Sequence, residues 1–140
     1  MTFAILYKVA NASVIPAWLL LVLLPKHRIT KFVAHSYLYP VLLGLLYVWL
    51  LVTSFGGEGG MDTLANLKLS FGRDEILILG WVHYLVFDLF IGAWIVRDAR
   101  QNSINHLMTV PCLLLTLFVG PVGLLSYLGL RFWQTKKWQY

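Results

Sequence analysis

Four apolar stretches, at 3–24, 32–54, 76–96 and 107–130, take up most of the chain and leave little from which to build anything else. The first holds one charge, Lys8, and the third holds only Asp88; the second and fourth hold no Asp, Glu, Lys or Arg. A bilayer core of about 30 Å is crossed by about 20 helical residues at about 1.5 Å each. Lipid offers the backbone no hydrogen bonds, so each stretch must satisfy its own as a helix. The pattern predicts an all-α integral membrane protein, a four-helix transmembrane bundle forming one membrane domain over 1–140. Composition agrees. The chain is 59% hydrophobic and 12% charged, whereas soluble domains carry about 25% charged residues. Pro16, Pro40, Pro111 and Pro121 read as kinks or first-turn residues within the spans.

Four spans place both termini on one side of the membrane. Positive charge does not orient them: the connections 25–31 and 97–106 hold five Lys and Arg residues, the opposite side six. Met1-Thr2-Phe3 carries no basic region, and the first stretch ends in Leu23-Leu24-Pro25-Lys26-His27-Arg28 with no small-residue cleavage site. The expectation is a retained helix without a signal or transit peptide. Cys112 is the only cysteine, which excludes an internal disulfide. The net charge of +5, with no soluble face to hold a duplex, points to anionic lipid and away from nucleic acid. The tail mixes Phe132, Trp133, Trp138 and Tyr140 with Lys136 and Lys137, the chemistry of an anchor at headgroup level.

One connection is long. Residues 55–75 open with Gly56-Gly57-Glu58-Gly59-Gly60 and continue into a segment where Asp62 or Thr63 can cap a short helix. Leu64, Leu67 and Phe71 would share one face of that helix. Two readings stand, a loop resting on the membrane surface and a lid over a lateral opening.

Asp88 is the residue that asks for chemistry, because a carboxyl at mid-membrane depth costs several kcal/mol, about 2.5–3.5 on insertion scales, and is usually retained for function. Tyr84, Asp88, Gly92 and Ile95 fall on one helical face; His83, Phe87, Phe90 and Trp94 form the neighbouring one. His83 and Asp88 diverge by about 140°, so they flank an elongated cavity and do not pair directly. Against function stands a plain role for Asp88 as a hydrogen-bonded link between helices. The four histidines are scattered without the clusters a di-iron oxygenase needs, and a zinc site of His83, Asp88 and His35 is a weak pattern. His27 and His106 lie in connections and read as solvated. No Gly-rich phosphate loop, Gly-x-Ser-x-Gly elbow or Cys-x-x-Cys occurs. Asp74 and Glu75 suit the positive start of the third helix, Arg97 and Arg100 its negative end. In the fourth stretch Gly120-Pro121 should unwind the helix locally.

The run from Gly80-Trp81-Val82-His83-Tyr84 through Phe87-Asp88 to Gly92-Ala93-Trp94-Ile95, followed by Gly120-Pro121-Val122-Gly123-Leu124-Leu125, resembles the abscisic-acid-deficient-four-like family. Asn11, Pro16 and Trp18 extend the resemblance to the first helix, and it covers essentially the whole chain. Many members read Gly-Arg-Trp where this chain reads Gly92-Ala93-Trp94. Plant members are required for making neoxanthin from violaxanthin, so the resemblance implies action on carotenoids. A bacterial member, in an inner or photosynthetic membrane, is the expectation. Turning a 5,6-epoxide into an allene and a tertiary alcohol is a redox-neutral isomerisation needing one acid, one base and no metal or cofactor. The implied catalytic pair is Asp88 as acid and His83 as base. Tyr84, Phe87, Gly92, Trp81, Trp94, Asn11, Gly120 and Pro121 are the implied substrate-binding residues. Expected partners are a carotenoid or other long apolar ligand, membrane lipids, and a homo-oligomer or larger membrane complex. The alternative is a non-enzymatic carotenoid- or lipid-binding accessory subunit of a larger pigment–protein assembly.

Overall fold

A computed structural model describes residues 2–137. Trp138, Gln139 and Tyr140, the end of the expected interfacial tail, lie outside the described residues, as does Met1. The described residues form seven helices: α1 (Phe3–Leu23), α2 (Arg28–Val33), α3 (Leu38–Thr53), α4 (Leu64–Phe71), α5 (Asp74–Gln101), α6 (His106–Val119) and α7 (Pro121–Thr135). The all-helical expectation holds. Three helical stretches, Phe3–Leu23, Arg28–Thr53 and Asp74–Gln101, are long and apolar enough to cross a membrane. The expected bundle of four spans needs two corrections.

The first is at the second stretch, which breaks between α2 and α3. A helix continued through this point would drive the ring of Pro40 into the carbonyl of Ser36. Instead the chain leaves the helix at residues 34–37, and Ser36 Oγ accepts from Leu38 N at 3.1 Å to start α3. Tyr39 then donates its hydroxyl to Ser13 O at 2.7 Å, tying α3 to α1.

The second is larger. The stretch 107–130 is not one helix but two, joined at Gly120. Pro121 cannot donate to Leu117 and crowds its carbonyl, which weakens a continued helix. Pro16 and Pro111 are absorbed within α1 and α6, but here the preceding Gly120 lets the chain turn. Gly120 takes φ +41°, which side-chain-bearing residues rarely adopt. Pro121 then opens α7 at its first position, where a missing N–H costs nothing. The two helices turn back on each other. A Cβ on Gly123 would lie 2.1 Å from the backbone nitrogen of Thr116, so only glycine permits this approach. At the far end Gln134 Nε2 donates to Met108 Sδ at 3.7 Å. Helices α6 and α7, about 21 and 22 Å long, thus form an antiparallel hairpin, and neither is long enough for a bilayer core of about 30 Å.

Helix α5 is the axis of the molecule and packs against α1, α3, α4, α6 and α7. Its burial pattern records where the hairpin stops. In its first half Ile78, Leu79, Val82, Leu85 and Leu89 form a single stripe; beyond it Gly92, Ala93, Ile95, Val96, Asp98 and Ala99 are buried nearly all round. Buried Asp98 takes hydrogen bonds on one carboxylate oxygen from the Tyr127 hydroxyl and from Arg131 Nε, the latter at 2.8 Å. This triad clamps the returning half of α7 to the end of α5. His106, expected to be solvated, is half-buried and bonds Val22 O at 2.8 Å, fixing the start of α6 to the end of α1.

In the long connection Thr63 caps α4 by accepting from Asn66 N at 3.1 Å. Leu64 is exposed, Leu67 is half-buried and the Phe71 ring lies against Gly80 of α5, so only the later part of the expected Leu64–Leu67–Phe71 face meets the bundle, beside buried Ser70. Arg73 holds the connection closed, reaching Glu75 at 2.9 Å and Ser54 O at 3.1 Å.

The hairpin predicts a topology unlike that of four spans. With Cys112 replaced by Ser, single cysteines at Ser103 and Lys137 should label from the same face of a reconstituted membrane, and one at Gly57 from the other. Labelling of Ser103 and Lys137 from opposite faces would restore the fourth span.

Candidate functional site

The tip of the hairpin meets α5 at its midpoint, where Asp88 lies. A Cβ on Gly120 would sit 3.0 and 3.2 Å from the two carboxylate oxygens of Asp88, so the carboxyl rests directly on the glycine at the turn. One turn earlier on α5, the Tyr84 hydroxyl donates to Leu117 O at 2.9 Å. That carbonyl is one of the last four of α6, which have no partner within their own helix. Tyr84 and Asp88 together therefore receive the hairpin tip, and both are supplied by the face foreseen for α5.

Asp88 is not fully used by this contact. Its Oδ2 is buried and makes no hydrogen bond of ordinary geometry, with the Tyr84 hydroxyl its nearest polar neighbour on α5. An unsatisfied buried acceptor costs about 1–3 kcal/mol, and native structures keep few of them without a purpose.

Because the hairpin reaches only halfway, the first half of α5 is left with a row of aromatic and polar side chains facing α1. Trp81 Nε1 donates to Asn11 Oδ1 at 3.1 Å. Its ring lies 5.4 Å from that of Tyr7 and 5.3 Å from that of Tyr84, centre to centre. The sequence Asn11, Trp81, Tyr84, Asp88, Gly120 is thus continuous in space. Gly92 closes its lower end, since a Cβ there would lie 2.6 Å from the ring of buried Trp18. Asn11 serves Trp81 and not Asp88.

The remaining expected site residues are elsewhere. His83 is exposed on the side of α5 that faces α3, its ring 5.8 Å from Tyr47 and 4.6 Å from Phe87. Phe87 is 55% exposed. The elongated cavity that was to join His83 to Asp88 is replaced by these two opposite settings. Trp94 packs edge-on against Tyr127 of α7 at 5.5 Å, a helix-packing contact. Pro121 is exposed and begins α7. His35 lies beside Ala93 and Arg97, far along α5 from His83. Among the described residues no three His, Cys, Asp or Glu side chains gather as a metal ion would require.

A family model described as ABA DEFICIENT 4-like matches residues 5–127. The chain belongs to the ABA DEFICIENT 4-like family. It is similar to Protein ABA DEFICIENT 4, chloroplastic, of Arabidopsis thaliana, at 31% identity over 130 residues, covering 86% of this chain. The chain spans 58% of the length of that curated relative. No solved structure matches it. The ABA DEFICIENT 4-like match runs through Asn11, Trp81, Tyr84, Asp88 and Gly120 alike, so the whole row lies inside the family's matched region.

The Gly92–Trp18 contact yields a stability test. Gly92→Ala should overpack the α1–α5 seam and lower stability by about 1–3 kcal/mol, read by thermal unfolding in detergent. Trp18→Phe in the same chain should recover part of the loss, because the shorter ring leaves room for the methyl group. Equal, additive losses would show that the two residues do not meet.

Proposed function

We propose that this chain is a membrane-embedded protein that receives the end group of a carotenoid at the hairpin tip and isomerises an epoxide there, with Asp88 as the acid. In this reading the three long helices cross the bilayer, and the α6–α7 hairpin enters from one face and returns to it. The observation that carries the proposal is the buried carboxyl oxygen of Asp88, without a hydrogen bond of ordinary geometry, beside the aromatic row of Tyr7, Trp81 and Tyr84. Family membership supports the substrate class, since resemblance to the family implies action on carotenoids.

The chemistry can run through one carboxyl. Asp88 gives its proton to the epoxide oxygen, the C–O bond on the polyene side breaks, and the oxygen stays as a tertiary hydroxyl. The resulting carboxylate takes the proton from the adjacent polyene carbon, where the second double bond of the allene forms. Atoms and electrons balance with no external oxidant. Tyr84 positions the carboxyl by holding the hairpin tip, and Trp81 offers the end ring a flat apolar wall. Burial of the polyene contributes about 25 cal/mol per Å² of apolar surface. His83 has no part in this version, because it faces α3.

Asp88→Asn is nearly isosteric and should keep carotenoid binding while losing turnover by about 10²-fold or more, the scale for removing a general acid or base. His83→Gln should leave turnover within a few-fold of wild type. Epoxidised carotenoids supplied in proteoliposomes, with chromatographic separation of products, would show both effects. Wild-type protein that binds the pigment without changing it would establish the accessory-subunit reading instead, and a large loss in His83→Gln would return the base role to that residue.

A further inference from the structure

The break between α2 and α3 opens a cavity of about 360 Å³ on the far side of α5 from the hairpin. Its size lies within the range of about 300–1,000 Å³ usual for small-ligand sites. Residues 34–37 form one wall, and Leu89, Phe90, Ala93 and Arg97 of α5 form the other. Two features set it apart from a packing defect. Both ring nitrogens of His35 are buried and without a hydrogen-bond partner. Arg97 borders the same space, and the ion pairs among the described residues, Arg73–Glu75 and Arg131–Asp98, leave it no carboxylate. Lys31 and Arg100 act on His35 as further positive charges. A guanidinium without a carboxylate and a desolvated imidazole whose ring N–H has no acceptor, around one void, select an anion. Its place is the end of the molecule where α5 finishes and Lys26, Arg28 and Lys31 lie, headgroup level for helices that cross a bilayer.

We infer that this cavity binds a phosphate group, with Arg97 gripping two of its oxygens as a guanidinium fork does and a ring N–H of His35 donating to a third. An anionic membrane lipid and free phosphate share this chemistry, and the apolar wall of Leu89, Phe90 and Ala93 would lie against the glycerol and first methylenes of the lipid. The site is separate from the hairpin tip and does not depend on the carotenoid reading.

The test uses the full chain in nanodiscs of mixed phosphatidylglycerol and phosphatidylcholine, with native mass spectrometry of the released protein. The lipid source predicts one retained phosphatidylglycerol, favoured over phosphatidylcholine by about tenfold, which is about 1.4 kcal/mol. Arg97→Gln and His35→Gln should each abolish the preference, Arg97→Lys should keep part of it, and Arg28→Gln should leave it intact. In discs of phosphatidylcholine alone, inorganic phosphate is added and the His35 ring resonances are followed by NMR. A saturable shift there without lipid preference assigns the site to free phosphate. Retention and resonances that are the same in wild type, Arg97→Gln and His35→Gln would overturn the site.

Discussion

Everything distinctive about this molecule depends on the buried Asp98 at the end of α5. Its carboxylate and the Arg131 guanidinium have only 7% and 6% of their side-chain surface exposed, and Tyr127 completes the contact. Removing one partner of such a pair strands a charge and costs about 3–5 kcal/mol. The pair therefore specifies where α7 must end. With α7 returned to the base of α5, α6 and α7 can only be a hairpin, and their lengths set the height of its tip. That height is Asp88.

The rest follows from a hairpin that covers half of its support. Below Asp88, α5 is buried from several sides and packs with small residues, Gly92 against Trp18 and Ala93 beside His35. Above it, α5 presents Trp81 to α1, where Asn11 fixes its ring, and Tyr84 to the hairpin tip. The Asp88 carboxyl lies at the boundary between the two halves and rests on Gly120. The same residue serves packing through Gly120 and has one buried oxygen without a hydrogen bond of ordinary geometry, the feature on which the proposed chemistry rests.

Much of this was legible in the chain. The helical class, the three long apolar helices, the short capped helix after the Gly-rich turn, and the face joining Tyr84, Asp88 and Gly92 follow from hydropathy, capping chemistry and the 3.6-residue period. The disruption at Gly120-Pro121 was also legible, but its sense was not. A Gly-Pro pair interrupts a helix whether the chain then continues or reverses, and only the tertiary partners of α7 decide between these. Those partners were hidden because Asp98 sits between Arg97 and Arg100, where it reads as part of a charged helix end. Tyr127 and Arg131, four apart on one face, were the available signal that α7 had a polar partner to find. That His83 lies beside Tyr47 of α3 was not legible for a related reason: helical spacing says which side chains share a face, and not which neighbour each face meets.

The central claim is that the carboxyl of Asp88 itself meets the reacting end of the ligand. Infrared difference spectroscopy of the protein in lipid, with and without an epoxidised carotenoid, observes that carboxyl directly. Binding should perturb a carboxyl band that vanishes in Asp88→Asn and is absent with the corresponding carotenoid lacking the epoxide. A difference spectrum in which the pigment binds and no carboxyl band moves would contradict it.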